Sequence, residues 1–315
     1  MTNVANTTAV AADVVRDRIS GRRVDVGGRI FEGLLLLALL ASLAILLTLL
    51  VDVVSRGSGV YLERGLDFIV SPLSSEASEA GIGQGLVGSL LLMLTVALTA
   101  FPIGIGAAIY LEEYARDTRF TRFITANIRN LAGVPSIVYG LLGLAVFVVA
   151  LNGITGPDTR GRSVLSGGLT LAIVVLPIVI ITTSEALRAV PSGIREAAYG
   201  VGATRWQTVR SHVIPYAAPG ILTGTILSMA RAFGETAPLI MVGGAVSFLA
   251  TSDRGPIETL QGKYTTLPTS IYQWVQEPQR DFIELSAAGI IALLVTILLV
   301  NGIAIVLRNR YARRW

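Results

Sequence analysis

Uncharged apolar runs alternate with short polar segments along most of this chain. Six such runs, 33–51, 80–111, 130–157, 163–184, 213–249 (broken by Arg231 and Glu235) and 285–307, are long enough to cross about 30 Å of hydrocarbon as helices. None shows the strict apolar–polar alternation of a strand in a transmembrane barrel. The pattern therefore predicts an all-α membrane protein with six transmembrane helices. The first run is longer and further from the N-terminus than a cleaved leader, so it reads as a retained span.

Between the runs, the polar segments divide into three kinds. Residues 1–28 read as a tail without an apolar face, and 311–315 as a second, short tail, leaving 29–310 as the membrane domain. Residues 54–79, 152–162 and 250–284 read as loops on one side. Residues 112–129, beginning Glu112-Glu113-Tyr114, read as a short amphipathic helix on the other side. The segment 191–215 reads as a helix, a turn and a second short helix. Tyr264, Pro268, Tyr272 and Trp274 in the longest loop suit either the headgroup level or contact with a solute-delivering protein.

Composition agrees with a membrane chain: 52% of residues are hydrophobic and 15% charged, below the roughly 25% of soluble domains. The charge has a side. If the N-terminus is inside, 17 arginines fall on inside segments and six arginines and one lysine outside, so both termini are expected in the cytoplasm. The net charge of +4 thus reports topology rather than nucleic-acid binding. The chain has no cysteine, which excludes disulfides and thiolate metal sites. It also has no glycine-rich phosphate loop of the Walker type, no nucleophile elbow and no zincin pair, so no nucleotide hydrolysis or hydrolase chemistry is expected of it. The one histidine, His212, sits at a membrane boundary and reads as a solvated or capping side chain.

Breakers fall inside several runs: Pro102, Gly104 and Gly106, then Gly133, Pro135 and Gly140, then Pro177. They suit kinked packing or bending during a transport cycle equally well. The costliest residues are Arg231 and Glu235. A charge in hydrocarbon costs at least about 2.5–3.5 kcal/mol, so the two point to a polar route through the membrane. At a spacing of four they are expected to share one helical face and to pair. Arginine offers a fork of donors that fits phosphate oxygens, and a neighbouring carboxylate would weaken the hold enough to permit exit. A structural ion pair against a partner subunit is the other reading.

In 191–215, Ser192 is a plausible N-cap, with Glu196 in the first turn. Ala197 and Ala198 are small enough for close docking, and Gly202 can end the helix. Thr204–Arg210 can form a second short helix with Trp206 and Val209 on one face, before Pro215 starts the next span. An exposed pair of short helices of this kind suggests a docking partner.

Glu196-Ala197-Ala198, Gly202 and His212-Val213-Ile214-Pro215 match the spacing of the EAA loop of ABC-importer permeases, with His212 where that family has Ile. Leu131-Ala132-Gly133-Val134-Pro135-Ser136-Ile137-Val138-Tyr139-Gly140 resembles a third-span signature of phosphate-importer permeases. The segment Arg231-Ala232-Phe233-Gly234-Glu235-Thr236-Ala237-Pro238-Leu239 resembles their intramembrane motif in its PstA branch. Tyr264 to Trp274 also resembles that branch. The resemblance covers about Arg29 to Arg310. It implies a type I ABC importer permease for inorganic phosphate, in a bacterial or archaeal cell membrane. Arg231, Glu235 and Thr236 would lie on the substrate pathway, and Glu196, Ala197, Ala198 and Gly202 would couple to the ATPase. The implied partners are a PstC-like permease in a heterodimer, a PstB-like ATPase dimer and a PstS-like external phosphate-binding protein. No cofactor is expected on this chain, with ATP and Mg held by the ATPase.

Two rivals remain at this stage. An ABC permease for another oxyanion or a neutral solute would share the EAA loop but not the Arg231–Glu235 motif. A self-sufficient secondary carrier or channel would need its own coupling-ion site and would leave the EAA loop unexplained.

Overall fold

The computed structural model describes residues 26–244 and 255–312, and among them it is helical, with no strand. Two units cluster separately, Met1–Asp52 and Val53–Trp315. The described part of the first, 26–52, is an uninterrupted helix. It belongs to α1 (Val26–Arg64), which runs on past the apolar run into what the polarity pattern marks as a loop. The helix does not stop where the apolar residues stop, because its backbone hydrogen bonds do not depend on apolar side chains. A single turn, Leu66–Val70, follows. Tail residues 1–25 and 313–315 lie outside the described residues.

In the second unit, α2 (Gly83–Tyr114) and α5 (Val164–Arg188) are the central pair. Position by position, Gly168 abuts Thr95 and Gly104 abuts Val179. Both sequence numbers rise together, so α2 and α5 run parallel, with the missing Cβ atoms allowing close approach. Two parallel spans require the chain between them to cross back. That crossing is made by α4 (Ser136–Ala150), which follows α3 (Arg119–Leu131) at a bend of 102°. The third span is therefore shorter than the run 130–157. The helix of the segment 112–129 begins at Arg119 rather than Glu112, because Glu112–Tyr114 still belong to the wide last turn of α2.

The bend has a local cause. Pro135 disfavours helix in the residue before it and opens α4 as its N-cap. The Tyr139 hydroxyl donates to the Leu131 carbonyl at 2.8 Å, capping the end of α3. Pro102 and Pro177 instead lie inside continuous helices. The real break among the candidate breakers is thus at Gly133–Pro135.

Helix α7 (Arg205–Gly234) packs antiparallel on α5: Gly220 abuts Ala186 and Gly224 abuts Thr182. Helix α10 (Arg280–Ala312) closes the bundle, and it reaches further at both ends than the run 285–307. Tyr61 of α1 donates to the Ala288 carbonyl at 2.8 Å, and Arg308 donates to Thr223 at 3.1 Å. One apolar core, with Leu92, Leu171, Val175, Phe233 and Trp274, fills one end of the bundle. A second, with Ala108, Leu187, Val213 and Ile221, fills the other.

Of the four residues singled out in the segment 255–284, three are buried within the chain itself. Tyr264 is fully buried and Trp274 nearly so, and only Tyr272 is exposed. The chain passes Gly88, whose missing side chain admits the Thr265 carbonyl, and Leu267 N–H donates to Ser89 at 2.9 Å. Helix α9 (Leu267–Gln276) then starts in a capping box between Thr266 and Thr269. Threonines suit this position because their hydroxyls satisfy one another and the first turn of the helix. Burial also raises the Tyr264 phenol well above its ordinary range, so it stays protonated.

Candidate functional site

The charged pair sits deep. Along the α5–α7 contact, each step forward on α7 is a step back on α5. Seven residues beyond Gly224, Arg231 is level with Val175, about 17 Å inside the start of α5 at Val164. Ala232 and Phe233 beside it are buried in the first core.

The expectation of one continuous helix through Arg231 and Glu235 needs correcting. Helix α7 stops at Gly234, and Glu235 is extended, with φ −76° and ψ 119°. The physical reason is Pro238, which has no N–H to continue the ladder and instead sits in the first turn of α8 (Ala237–Met241). Thr236 precedes α8, and its carbonyl accepts from Ile240 N–H at 3.1 Å. The part of the run at 245–249 lies outside the described residues. Across the break, Pro238 and Met241 lie against Gly140 of α4. Two segments distant in sequence, 131–140 and 231–239, therefore meet.

The pair itself forms at the break. Arg231 Nε lies 3.3 Å from Glu235 Oε1, a single ionic contact. The Arg231 side chain is 54% exposed and Glu235 17% exposed. At mid-depth, an exposed guanidinium cannot face lipid cheaply, so it faces a partner surface or water. Its Nη nitrogens have no hydrogen-bond acceptor among the described residues.

At the other end of the bundle, α6 (Ser192–Gly200) projects between α5 and α7. Its N-cap is Pro191, without a side-chain cap, so Ser192 is the first helical residue and Glu196 falls in the second turn rather than the first. Glu196 and Ala197 are exposed, whereas Ala198 is buried against the chain itself. Gly202 has φ +83° and closes the helix in a Schellman turn: Ala203 N–H donates to the Ala198 carbonyl at 3.0 Å and Gly202 N–H to the Tyr199 carbonyl at 2.9 Å. Thr204 and Gln207 form a capping box that starts α7. The second short helix is thus continuous with the next span. Trp206 is exposed while Val209 is buried, so they do not share a face. Tyr199, Val201 and Trp206 form exposed apolar surface around the α6 turn, of which the residue pattern singled out only Trp206. His212 is exposed.

The base of this projection is clamped by residues that sequence reasoning missed. Arg195 donates to both carboxylate oxygens of Glu113, at 2.6 and 3.3 Å, and to the carbonyls of Leu187 and Val190 at 2.9 Å. Arg188 holds Glu112 with two bonds of 2.8 Å. Arg205 lies over the Tyr114 ring at 5.3 Å. The Glu112-Glu113-Tyr114 triplet at the end of α2 is thus a socket for three arginines from α5, α6 and α7. The one available signal was an acidic doublet at a helix end beside a loop rich in arginine.

The geometry combines a mid-depth cation with a clamped helix projecting from one end of the bundle. Residues 100–313 match the family described as binding-protein-dependent transport system inner membrane component. The phosphate transport system permease protein PstA of Mycobacterium leprae is 35% identical over 269 residues, covering 84% of this chain and 82% of that one. PstA of Pasteurella multocida is 33% identical over 236 residues, covering 75% and 79%. A probable ABC transporter permease protein of Bacillus subtilis, YqgI, is 36% identical over 182 residues, and the match covers 58% of this chain and 60% of that protein. Among solved structures, a bacterial alginate ABC transporter, in complex with its pentasaccharide-bound periplasmic protein, aligns with a TM-score of 0.64 at 16% identity, covering 96% and 97%. The MetNI methionine ABC transporter in an inward-facing conformation aligns at 0.57 and 18% identity, covering 72% and 94%. These structural likenesses concern the fold.

Proposed function

The chain belongs to the binding-protein-dependent transport system inner membrane component family, and we propose that Arg231, Glu235 and Thr236 form the phosphate-handling element of its pathway. It is a multi-pass permease subunit of a phosphate importer of the ABC type, a transport subunit rather than an enzyme, and ATP hydrolysis belongs to a separate subunit. The single observation that carries the site is the half-exposed Arg231 at mid-depth, held by only one contact to Glu235. Its free Nη groups suit phosphate oxygens in a planar fork. Glu235 keeps the empty site near neutral and repels an anion that binds beside it, which keeps the site from trapping its load. The seam that Arg231 faces is then the contact with the second permease subunit.

An importer of this family works with an ATPase and a substrate-binding protein. The finer assignment is a heterodimer with a PstC-like permease, a PstB-like ATPase dimer holding ATP and Mg, and a PstS-like protein delivering phosphate. No cofactor is assigned to this chain. Glu196, Ala197 and the Gly202 turn meet the ATPase, with Ala198 seating α6 on its own subunit. Both termini and α6 are then cytoplasmic, in keeping with the arginine bias. Closure of the ATPase pulls α6, and the arginine socket passes that motion to α2, α5 and α7 together.

The test is ATP-driven uptake by the complete complex in vesicles, with phosphate and sulfate compared. Arg231→Gln is expected to lower phosphate uptake at least tenfold, the scale of a lost charged hydrogen bond, with assembly unchanged. Unimpaired uptake overturns the pathway role.

A further inference from the structure

A cleft of about 480 Å³ opens between α3 and the ends of α2 and α5. Four arginines line it, Arg116, Arg122, Arg129 and Arg188, with Glu112 and Asp117 as its acids. Arg188 is bound to Glu112, and Arg122 lies 3.3 Å from Asp117. Arg116 and Arg129 have no acidic partner among the described residues, which leaves the cleft with two uncompensated positive charges. The pathway and the α6 socket use neither of them.

The setting of α3 selects the kind of anion. Because α2 and α5 run parallel, α4 crosses the bundle, and α3 meets α4 at 102°. Helix α3 therefore lies nearly along the membrane surface. Phe120 and Phe123 are exposed on one side of it, while Thr121, Thr125 and Arg129, spaced by four, face the cleft on another. A helix that lies flat with exposed aromatic residues and a basic face has the signature of an interfacial element. The anions concentrated at that depth are lipid headgroups, and the cleft is far roomier than one phosphate ion needs. Basic pockets between spans at the cytoplasmic surface suit lipid phosphates.

We propose that this cleft binds the headgroup of an anionic phospholipid, with its phosphodiester between Arg116 and Arg129. The glycerol backbone extends out of the open side of the cleft, and the lipid wedges α3 against the ends of α2 and α5, next to the socket that carries α6. The proposal rests on the cytoplasmic placing of this end of the bundle, which can be checked separately. The chain has no cysteine, so Asn130→Cys in α3 provides a single thiol for an impermeant maleimide, applied to vesicles of either orientation. Labelling from the outer face alone would overturn the sidedness without touching lipid binding.

The lipid itself is tested on the complete complex, delipidated and retitrated with phosphatidylglycerol or phosphatidylcholine, reading bound lipid by native mass spectrometry. The wild-type complex is expected to prefer phosphatidylglycerol. Each arginine removed should weaken that binding about fivefold, so Arg116→Gln with Arg129→Gln gives about 25-fold and leaves phosphatidylcholine unchanged. The single variant Arg129→Gln gives the smaller step should the pair fail to assemble. Equal retention of both lipids, an unaffected variant, or displacement of the lipid by inorganic phosphate would each overturn the proposal, the last by assigning the cleft to a soluble anion.

Discussion

At the end of the bundle, Arg195 grips Glu113 with two nitrogens and gives its remaining bonds to two carbonyls, whereas at mid-depth Arg231 touches Glu235 at a single 3.3 Å contact. The exposures differ in the same sense: 23% and 6% for the first pair, 54% and 17% for the second. Both pairs use the same two residue types, so the chemistry alone does not separate them. Their surroundings do. The first joins α6 to the last turn of α2, two separate elements. The second spans a break within one segment and leaves donors free. On the proposed function the two suit different tasks: the first a linkage that transmits force without yielding, the second a site that exchanges its partner for a passing anion.

Glu113→Gln should have the largest effect, because it leaves the half-buried Arg195 without its counter-charge. A broken buried pair costs roughly 3–5 kcal/mol. The expected result is a marked fall in the unfolding temperature of the complex in detergent, and with it a loss of coupling between ATP hydrolysis and uptake. If the melt moves by less than about 0.5 kcal/mol, the two backbone carbonyls suffice to hold Arg195 and the clamp is misread. Glu196→Arg changes a charge one residue away that is exposed rather than buried. It should leave the melt unchanged and lower ATP-coupled uptake by about tenfold, on the scale of a charge misplaced in an interface. Normal coupling would show that this face of α6 does not meet the ATPase.

Glu235→Gln bears on the loose pair. Without the competing carboxylate, the anion is held more firmly at Arg231, so both the half-saturating phosphate concentration and the maximal uptake rate should fall, each by about fivefold for an interaction of about 1 kcal/mol. Stability should not change measurably. A rise in turnover would mean that Glu235 assists the anion rather than repelling it, and the contrast between a gripping and a yielding pair would lose its functional half.

How far the sequence reveals this arrangement depends on the range of the interaction concerned. The six spans are legible because hydrocarbon demands an unbroken run of apolar residues, and the runs stand out against Arg-rich ends. Helix ends are less so: α1 continues to Arg64 and α5 to Arg188, since a helix keeps its hydrogen bonds after its side chains turn polar. The stop at Gly234 is hidden inside uniform hydrophobicity, and only Pro238 hints at it. The segment around Tyr264 reads as a loop, and its burial is not legible because Thr266 and Thr269 satisfy each other only once the helix they cap has formed. Arg231 and Glu235 are visible because they are charges in an apolar run. Glu113 and Arg195 are 82 positions apart, and no local rule joins them.

The smallest expected effect concerns the turn that completes the rigid end. Gly202 stands at φ +83°, with nothing within 4 Å of where a Cβ would be. Steric crowding by neighbours therefore cannot explain the glycine, and only the left-handed backbone can. Gly202→Ala should destabilise by about 1 kcal/mol, while Gly202→Asn, which tolerates that conformation better, should lose about half as much. Both are read from the melt of the complex together with the affinity of the ATPase for it. If the turn serves only to end α6, the ATPase affinity will follow the melt in both variants. If instead the ATPase packs onto the open space at Gly202, Asn will harm docking more than Ala despite disturbing the backbone less. That reversal would show that the ATPase packs directly on Gly202, beyond the glycine's part in ending α6.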